Sequence, residues 1–262
     1  MRIRGATVVA ALLVAMPAMS AAAQATGDRA RLVFNVSGAL VDGRGLWAVP
    51  RQSIGVGTPP DTLALERGIK SDFGVGFSGA YFPGEHLGFT ADAFLLGVGY
   101  SDTCRPVRPI ADPRNREVCD FIDANDRPAS AVTLNVGVVY RVASREFISP
   151  FARASAGLLF SNQSPLALDG RTNSGEAIAI YTDPNQSRVA PGFALGLGTT
   201  VVLGKAYHLR WEVRDNIVRV DRVTGATEFN GARPPHEGVF KHLISVMVGL
   251  DVILERQRGR RY

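Results

Sequence analysis

Cysteine is almost absent: the 262 residues hold two, which excludes a miniprotein built on a disulfide framework. Long apolar runs are absent too. The single one lies at the N-terminus and is too short to span a bilayer, which excludes a polytopic helical membrane protein. No helical period stands out after residue 25. No glycine-rich phosphate loop opens a helix, and neither His-x-Ser nor Gly-x-Ser-x-Gly occurs. What is present is an ordinary apolar fraction, 46%, so the chain folds rather than remaining disordered.

Net charge is +5, but it is not a property of the domain. Arg2 and Arg4 supply two of those charges. Arg256, Arg258, Arg260 and Arg261, set against Glu255, supply the other three. The remainder is neutral, so no nucleic-acid partner is expected, since that would need a concentrated basic face.

The N-terminus has the pattern of a secretion signal. Arg2 and Arg4 precede an apolar core from Ala6 to Met16, then Pro17 and small residues. Ala21-x-Ala23 and Ala23-x-Ala25 both fit a peptidase site, so residues 1–25 are read as a signal peptide cut after Ala23 or Ala25.

Period two dominates the rest of the chain. In 69–82, Ile69, Phe73, Val75, Phe77 and Tyr81 share one parity, while Lys70, Asp72, Gly74, Gly76, Ser78 and Ala80 share the other. Successive side chains of a strand point to opposite faces, so one face is large and apolar and the other small or polar. The pattern recurs, giving eight expected strands at 31–41, 68–82, 86–100, 130–142, 147–160, 189–204, 206–220 and 239–254. Most are longer than the usual soluble strand and suit tilted strands that cross a bilayer. The gaps alternate. Those at 42–67, 101–129, 161–188 and 221–238 are long; those at 83–85, 143–146 and 205 are short. Long external loops and short periplasmic turns are expected of an outer-membrane barrel. Tyr81, Phe82, Phe89, Tyr140, Phe147 and Tyr207 cluster beside the short turns, as an inner aromatic girdle would.

A soluble barrel would place apolar residues inside and Lys/Glu outside. Here the second face is mainly Gly, Ala, Ser and Thr, which suits a narrow lumen. Eight strands leave a lumen just wide enough for side chains. Small residues on the sixth strand leave room for Arg210, Glu212 and Arg214 on the seventh.

The stretches FGVGFSGAYFP (73–83), ISPFARASAGLLF (148–160), PGFALGLGTTVVLG (191–204), LRWEVRDNI (209–217) and HLISVMVGLDVIL (242–254) resemble the OmpA-like and OmpX-like outer-membrane barrels. The resemblance covers about residues 30–254. It implies an all-β fold, an eight-stranded antiparallel up-and-down transmembrane barrel with four long, mobile external loops and three short periplasmic turns. The expected organisation is a signal peptide (1–25), a barrel domain (26–254) and a basic tail (255–262), with no peptidoglycan-binding domain. The usual terminal strand ends in an aromatic residue. Here Tyr262 follows Arg258 and Arg260, so the assembly signal is expected within 244–254.

Several residues carry candidate chemistry. Cys104 and Cys119 share one exported loop, which points to a disulfide over free thiols or a metal pair. Asp92, Arg141, Arg153, Arg210, Glu212, Arg214 and Asp251 share the inward parity. Lone charges in a narrow lumen are costly, so these are expected to pair as a plug; a gate in a narrow pore is the alternative. Asp215 breaks the outward pattern and is expected near the outer interface. Some barrels of this kind modify lipid A with Ser and His. Of His86, His208, His236 and His242, the last has opposite parity to Ser245, and no catalytic pair is expected. In 101–129, Asp102, Asp112, Glu117, Asp120, Asp123 and Asp126 interleave with Arg105, Arg108, Arg114, Arg116 and Arg127. A mixed-charge solvated loop is expected there, rather than a calcium site.

The reading is an exported, non-catalytic outer-membrane barrel with a structural or surface-interaction role and no cofactor or metal. The alternative is a narrow porin-like channel; a lipid-modifying enzyme comes third. Its expected partners are outer-membrane lipid and lipopolysaccharide, whose phosphates arginines at the rim would meet, and the barrel-assembly machinery.

Overall fold

The computed structural model describes residues 31–55, 60–142, 147–185, 188–204 and 206–255. The expected signal peptide and residues 256–262 of the basic tail lie outside them.

Eight strands close on themselves: β1 (Arg31–Asp42), β4 (Asp72–Phe82), β5 (Leu87–Gly97), β7 (Ser130–Arg141), β8 (Ile148–Ser161), β11 (Arg188–Val202), β12 (Tyr207–Val223) and β13 (His236–Glu255). Each pairs antiparallel with the next, and β1 pairs with both β4 and β13. Closure leaves the ring without an edge strand, as a barrel in lipid requires.

Alternation sets the faces. On β1, Val33, Asn35, Ser37, Ala39 and Val41 are buried in the lumen, while Leu32, Phe34, Val36 and Leu40 are exposed. The same outward belt continues through Phe73, Val75 and Phe77 of β4, Phe193, Leu195 and Leu197 of β11, and Trp211 and Val213 of β12. An exposed apolar surface running round the whole barrel is a lipid-facing surface; a water-soluble protein rarely shows so large a contiguous patch.

The lumen is filled in layers. Val33, Ala80, Phe82, Val139, Phe151 and Ile253 form an apolar layer at the short-turn end. Charged residues fill the middle. Phe94, Leu96 and Met247 lie above them and merge with the hydrophobic core of a cap.

That cap corrects the expectation of mobile, solvated loops. β2 (Gly45–Ile54), β3 (Asp61–Ile69) and β6 (Tyr100–Pro106) form a three-stranded sheet; β9 (Leu168–Arg171) and β10 (Ala177–Tyr181) form a hairpin. The helix α1 (Pro113–Ala124) starts at Asp112, whose carboxylate accepts from the Arg114 N–H, and has Pro113 in its first turn. Asn115, Val118, Cys119 and Ile122 are buried on one face, at the spacing of a helical stripe. Leu46, Trp47, Ile54, Leu63, Leu65, Leu166, Ile180 and Tyr181 complete the core. These loops are ordered because they bury apolar area of their own.

The cap also divides two expected strands. The run expected at 68–82 breaks at Lys70–Ser71, where the chain leaves β3 for the barrel. The run expected at 86–100 ends at Gly97, and Tyr100 begins β6.

Candidate functional site

The barrel brings the inward charged residues together. Asp92 of β5 accepts from Arg153 Nη2 at 2.7 Å and from Arg214 Nη1 at 2.8 Å. Glu212 accepts from Arg210 Nη2 at 2.7 Å and Arg214 Nε at 2.9 Å, and lies 3.6 Å from Arg153 Nη1. Asp251 accepts from Asn35 Nδ2 at 2.7 Å and lies 3.8 Å from Arg210. Asn135 donates to Asp92 at 3.2 Å. The four guanidiniums exceed the three carboxylates by one. Arg141 accounts for the surplus: its guanidinium sits 3.4 Å from the Phe82 ring centroid, and its Nε and Nη2 have no hydrogen-bond partner. Arg210 stacks similarly over Phe151 at 4.3 Å.

Two glycines of β11 make this packing possible. A Cβ on Gly196 would stand 2.5 Å from Glu212 Oε1, and one on Gly198 would stand 2.5 Å from the Phe151 ring. The cavity left among Phe82, Arg141, Phe151, Arg210 and Asp251 measures about 20 Å³, room for little more than one water.

Phe82 leaves the expected aromatic girdle. Tyr81 faces outward, so its neighbour must face in, and Phe82 is buried under Arg141. Tyr81, Phe89, Tyr140, Phe147 and Tyr207 remain exposed beside the turns. Asp215 pairs with His242 Nδ1 at 2.7 Å on the outer surface. His242 is exposed while Ser245 is buried in the lumen, so the two share no site. Among the described residues, no three His, Cys, Asp or Glu side chains gather as a metal site.

In the cap, Cys104 of β6 and Cys119 of α1 form a disulfide. The sequence reading missed the hub beside it. Arg67 is fully buried and bidentate to Asp102, at 2.5 and 2.7 Å; it also donates to the Pro165 and Ala167 carbonyls. Its guanidinium lies between Trp47 and Tyr100, 5.3 and 5.1 Å from their rings. One side chain therefore ties β2, β3, β6 and the segment before β9 together. Asp61 performs a similar task for α1. Burial pushes its carboxyl up, but donation from the Ala111 N–H, Asn115 Nδ2 and the Asp112 N–H outweighs this and holds it below the usual carboxylate range. Asp61 and Arg67 occupy the buried parity of β3 beside Leu63, Leu65 and Ile69. That charged alternation was the available signal.

No family model matches the chain, and no curated protein matches it in sequence. Among solved structures, it is similar to the outer membrane protein OprG from Pseudomonas aeruginosa: 10% identity, TM-score 0.49, covering 87% of this chain and 97% of that one. It is similar to the outer membrane protein AlkL in lipid bilayers, at 15% identity and TM-score 0.38, covering 90% and 95%. The third is Ail, the attachment invasion locus protein of Yersinia pestis, at 9% identity and TM-score 0.39, covering 87% and 100%. Likeness this distant says nothing of activity, and the identity of the fold rests on the strand pairing itself: the chain is a closed eight-stranded antiparallel β-barrel.

Proposed function

We propose that this protein is an exported outer-membrane barrel that does not conduct and does not catalyse, and whose work is done by the cap it presents outside the cell. The observation that carries this reading is the filling of the lumen at its short-turn end and its middle. An apolar layer, a paired ionic layer and the cap's core follow one another along the lumen. A barrel built for passage would need a wetted path, whereas a cap with its own core offers a fixed surface to a partner. In this reading the barrel sits in outer-membrane lipid, meets lipopolysaccharide at its outer rim and is inserted by the barrel-assembly machinery.

The test is conductance of the purified protein in a planar bilayer, run beside lipid A mass spectrometry of cells with and without it. Silence in the first and unchanged masses in the second are expected. Stable single-channel steps would replace the reading with a pore, and a new lipid A mass would replace it with an enzyme.

A further inference from the structure

The ring of backbone pairing is not uniform along its height. β11 and β12 pair from Val202–His208 up to Gly192–Val218 and no further. Above that level β11 runs on to Arg188 paired only with β8, and β12 runs on to Val223 paired only with β13. Pro191 stands at the parting and has no N–H to offer. Unpaired strand edges in lipid are costly unless they line a cavity, and residues of both parted edges line one. The space behind them measures about 400 Å³, within the range of small-molecule sites.

Its inner wall is apolar: Val98, Ala131, Leu159, Val218 and Leu243 line it. Its rim is cationic. Arg188 pairs with Asp221 across the parted strands and with Asp183 at 2.6 Å, and its buried Nε has no partner. Arg219 lies along Gly238 with no carboxylate partner among the described residues. Arg233 adds a third guanidinium, 3.6 Å from Asp183, so three guanidiniums meet two carboxylates, Asp183 and Asp221, and Arg219 is the surplus. The opening starts just above Phe193 and runs past Val189, both exposed apolar residues of β11.

We propose that this cavity binds a single-chain anionic amphiphile of the fatty-acid class, its chain against Leu159 and Val218 and its carboxylate at Arg219. Both halves of such a molecule are matched. The proposal is independent of whether the cap has a protein partner.

The chain's two tryptophans provide the assay. Trp211 faces lipid, whereas Trp47 is buried in the cap and donates to the carbonyl of Pro165, which lines the cavity. In a Trp211→Phe background, reconstituted in phosphatidylcholine nanodiscs, dibromostearate is expected to quench Trp47 saturably, and stearate to compete. Ala131→Phe fills the cavity and should abolish the saturable phase. Arg219→Gln, a surface change that leaves folding intact, should weaken binding by about tenfold, the effect of one charge-assisted hydrogen bond. Absence of saturable quenching, or its survival in a folded Ala131→Phe protein, would overturn the site. Equal quenching by the dibromostearate methyl ester would overturn the carboxylate assignment.

Discussion

Arg214 and Asp92 meet at 2.8 Å from strands that stand opposite one another: β12 and β5 are four places apart in the eight-stranded ring in either direction. The bond therefore crosses the full width of the lumen, and Arg153, from β8, joins the same carboxylate. A pair confined to neighbouring strands would stay at the wall; this one spans the middle of the lumen.

Removing the shared carboxylate should be severe. Asp92→Ala leaves Glu212 as the carboxylate facing Arg153, Arg210 and Arg214, and the expected loss is about 3–5 kcal/mol, the usual consequence of breaking a buried pair from one side. Urea titration of the protein folded in lipid vesicles measures it. Pairing Asp92→Ala with Arg214→Met should recover part of the loss, because the second change removes one of the uncompensated charges. A single-mutant loss under about 1 kcal/mol, the level of an exposed pair, would show that the network does not hold the barrel.

The disulfide should matter to the cap and not to the ring. Cys104 and Cys119 are 15 residues apart, and closing a loop of that length contributes about 3 kcal/mol on the chain-entropy account. The double variant Cys104→Ser/Cys119→Ser is expected to keep the mobility shift on boiling that marks a closed barrel, while residues 98–129 become open to protease added outside vesicles. Loss of the shift would mean that the cap is needed to hold the barrel shut.

What the sequence disclosed, and what it hid, divides along the same boundary. In the barrel each strand has one lipid face and one lumen face, so parity alone assigns Asp92, Glu212 and Arg214 inward and Val75 and Trp211 outward. In the cap, packing follows no such simple rule. β2 and β3 are joined through register shifts at Gly45/Trp47 and Val49/Gln52, which interrupt any period. On β3 the buried side reads Asp61, Leu63, Leu65, Arg67, Ile69, and two charges there disguise a core strand as a polar loop. Both are buried because both are fully partnered. The stripe Asn115, Val118, Cys119, Ile122 was open to sequence reasoning, with Asp112 and Pro113 as a start signal, but the surrounding arginines and aspartates hid it.

Acid should loosen the cap through Asp61 and Asp183. Burial raises the Asp183 carboxyl, but Ser164, Arg188 and the Asn185 N–H hold it below the usual range, as the bonds to Asp61 do there. A carboxylate whose folded value is depressed stabilises the fold fully above its unfolded value, and that contribution is lost as pH falls through the folded value. The cap should therefore weaken below about pH 4, where a free aspartate titrates. Fluorescence of Trp47, buried in the cap core, should shift to the red, while Trp211 in lipid stays unchanged. Asp61→Asn should lower cap stability at neutral pH and flatten part of the acid response. An unchanged response would remove Asp61 as a cause.

The lipid-facing assignment can be tested by depth. Val75 lies on the outward face of β4 between Phe73 and Phe77, opposite Gly38 of β1 and Leu95 of β5, well inside the apolar belt. Val142 is also exposed, but it follows the end of β7 at a short turn. Arginine at the bilayer midplane costs about 2–4 kcal/mol and near the interface about 0–1. Val75→Arg should accordingly destabilise the folded protein in vesicles by much more than Val142→Arg, and the gap should shrink in bilayers thin enough to bring Val75 to the surface. If the belt instead met water, both arginines would be solvated and the two variants would unfold alike. Equal, small losses would thus sink the membrane reading even with every strand pairing intact, because they would show that the exposed face of this ring is not where lipid lies.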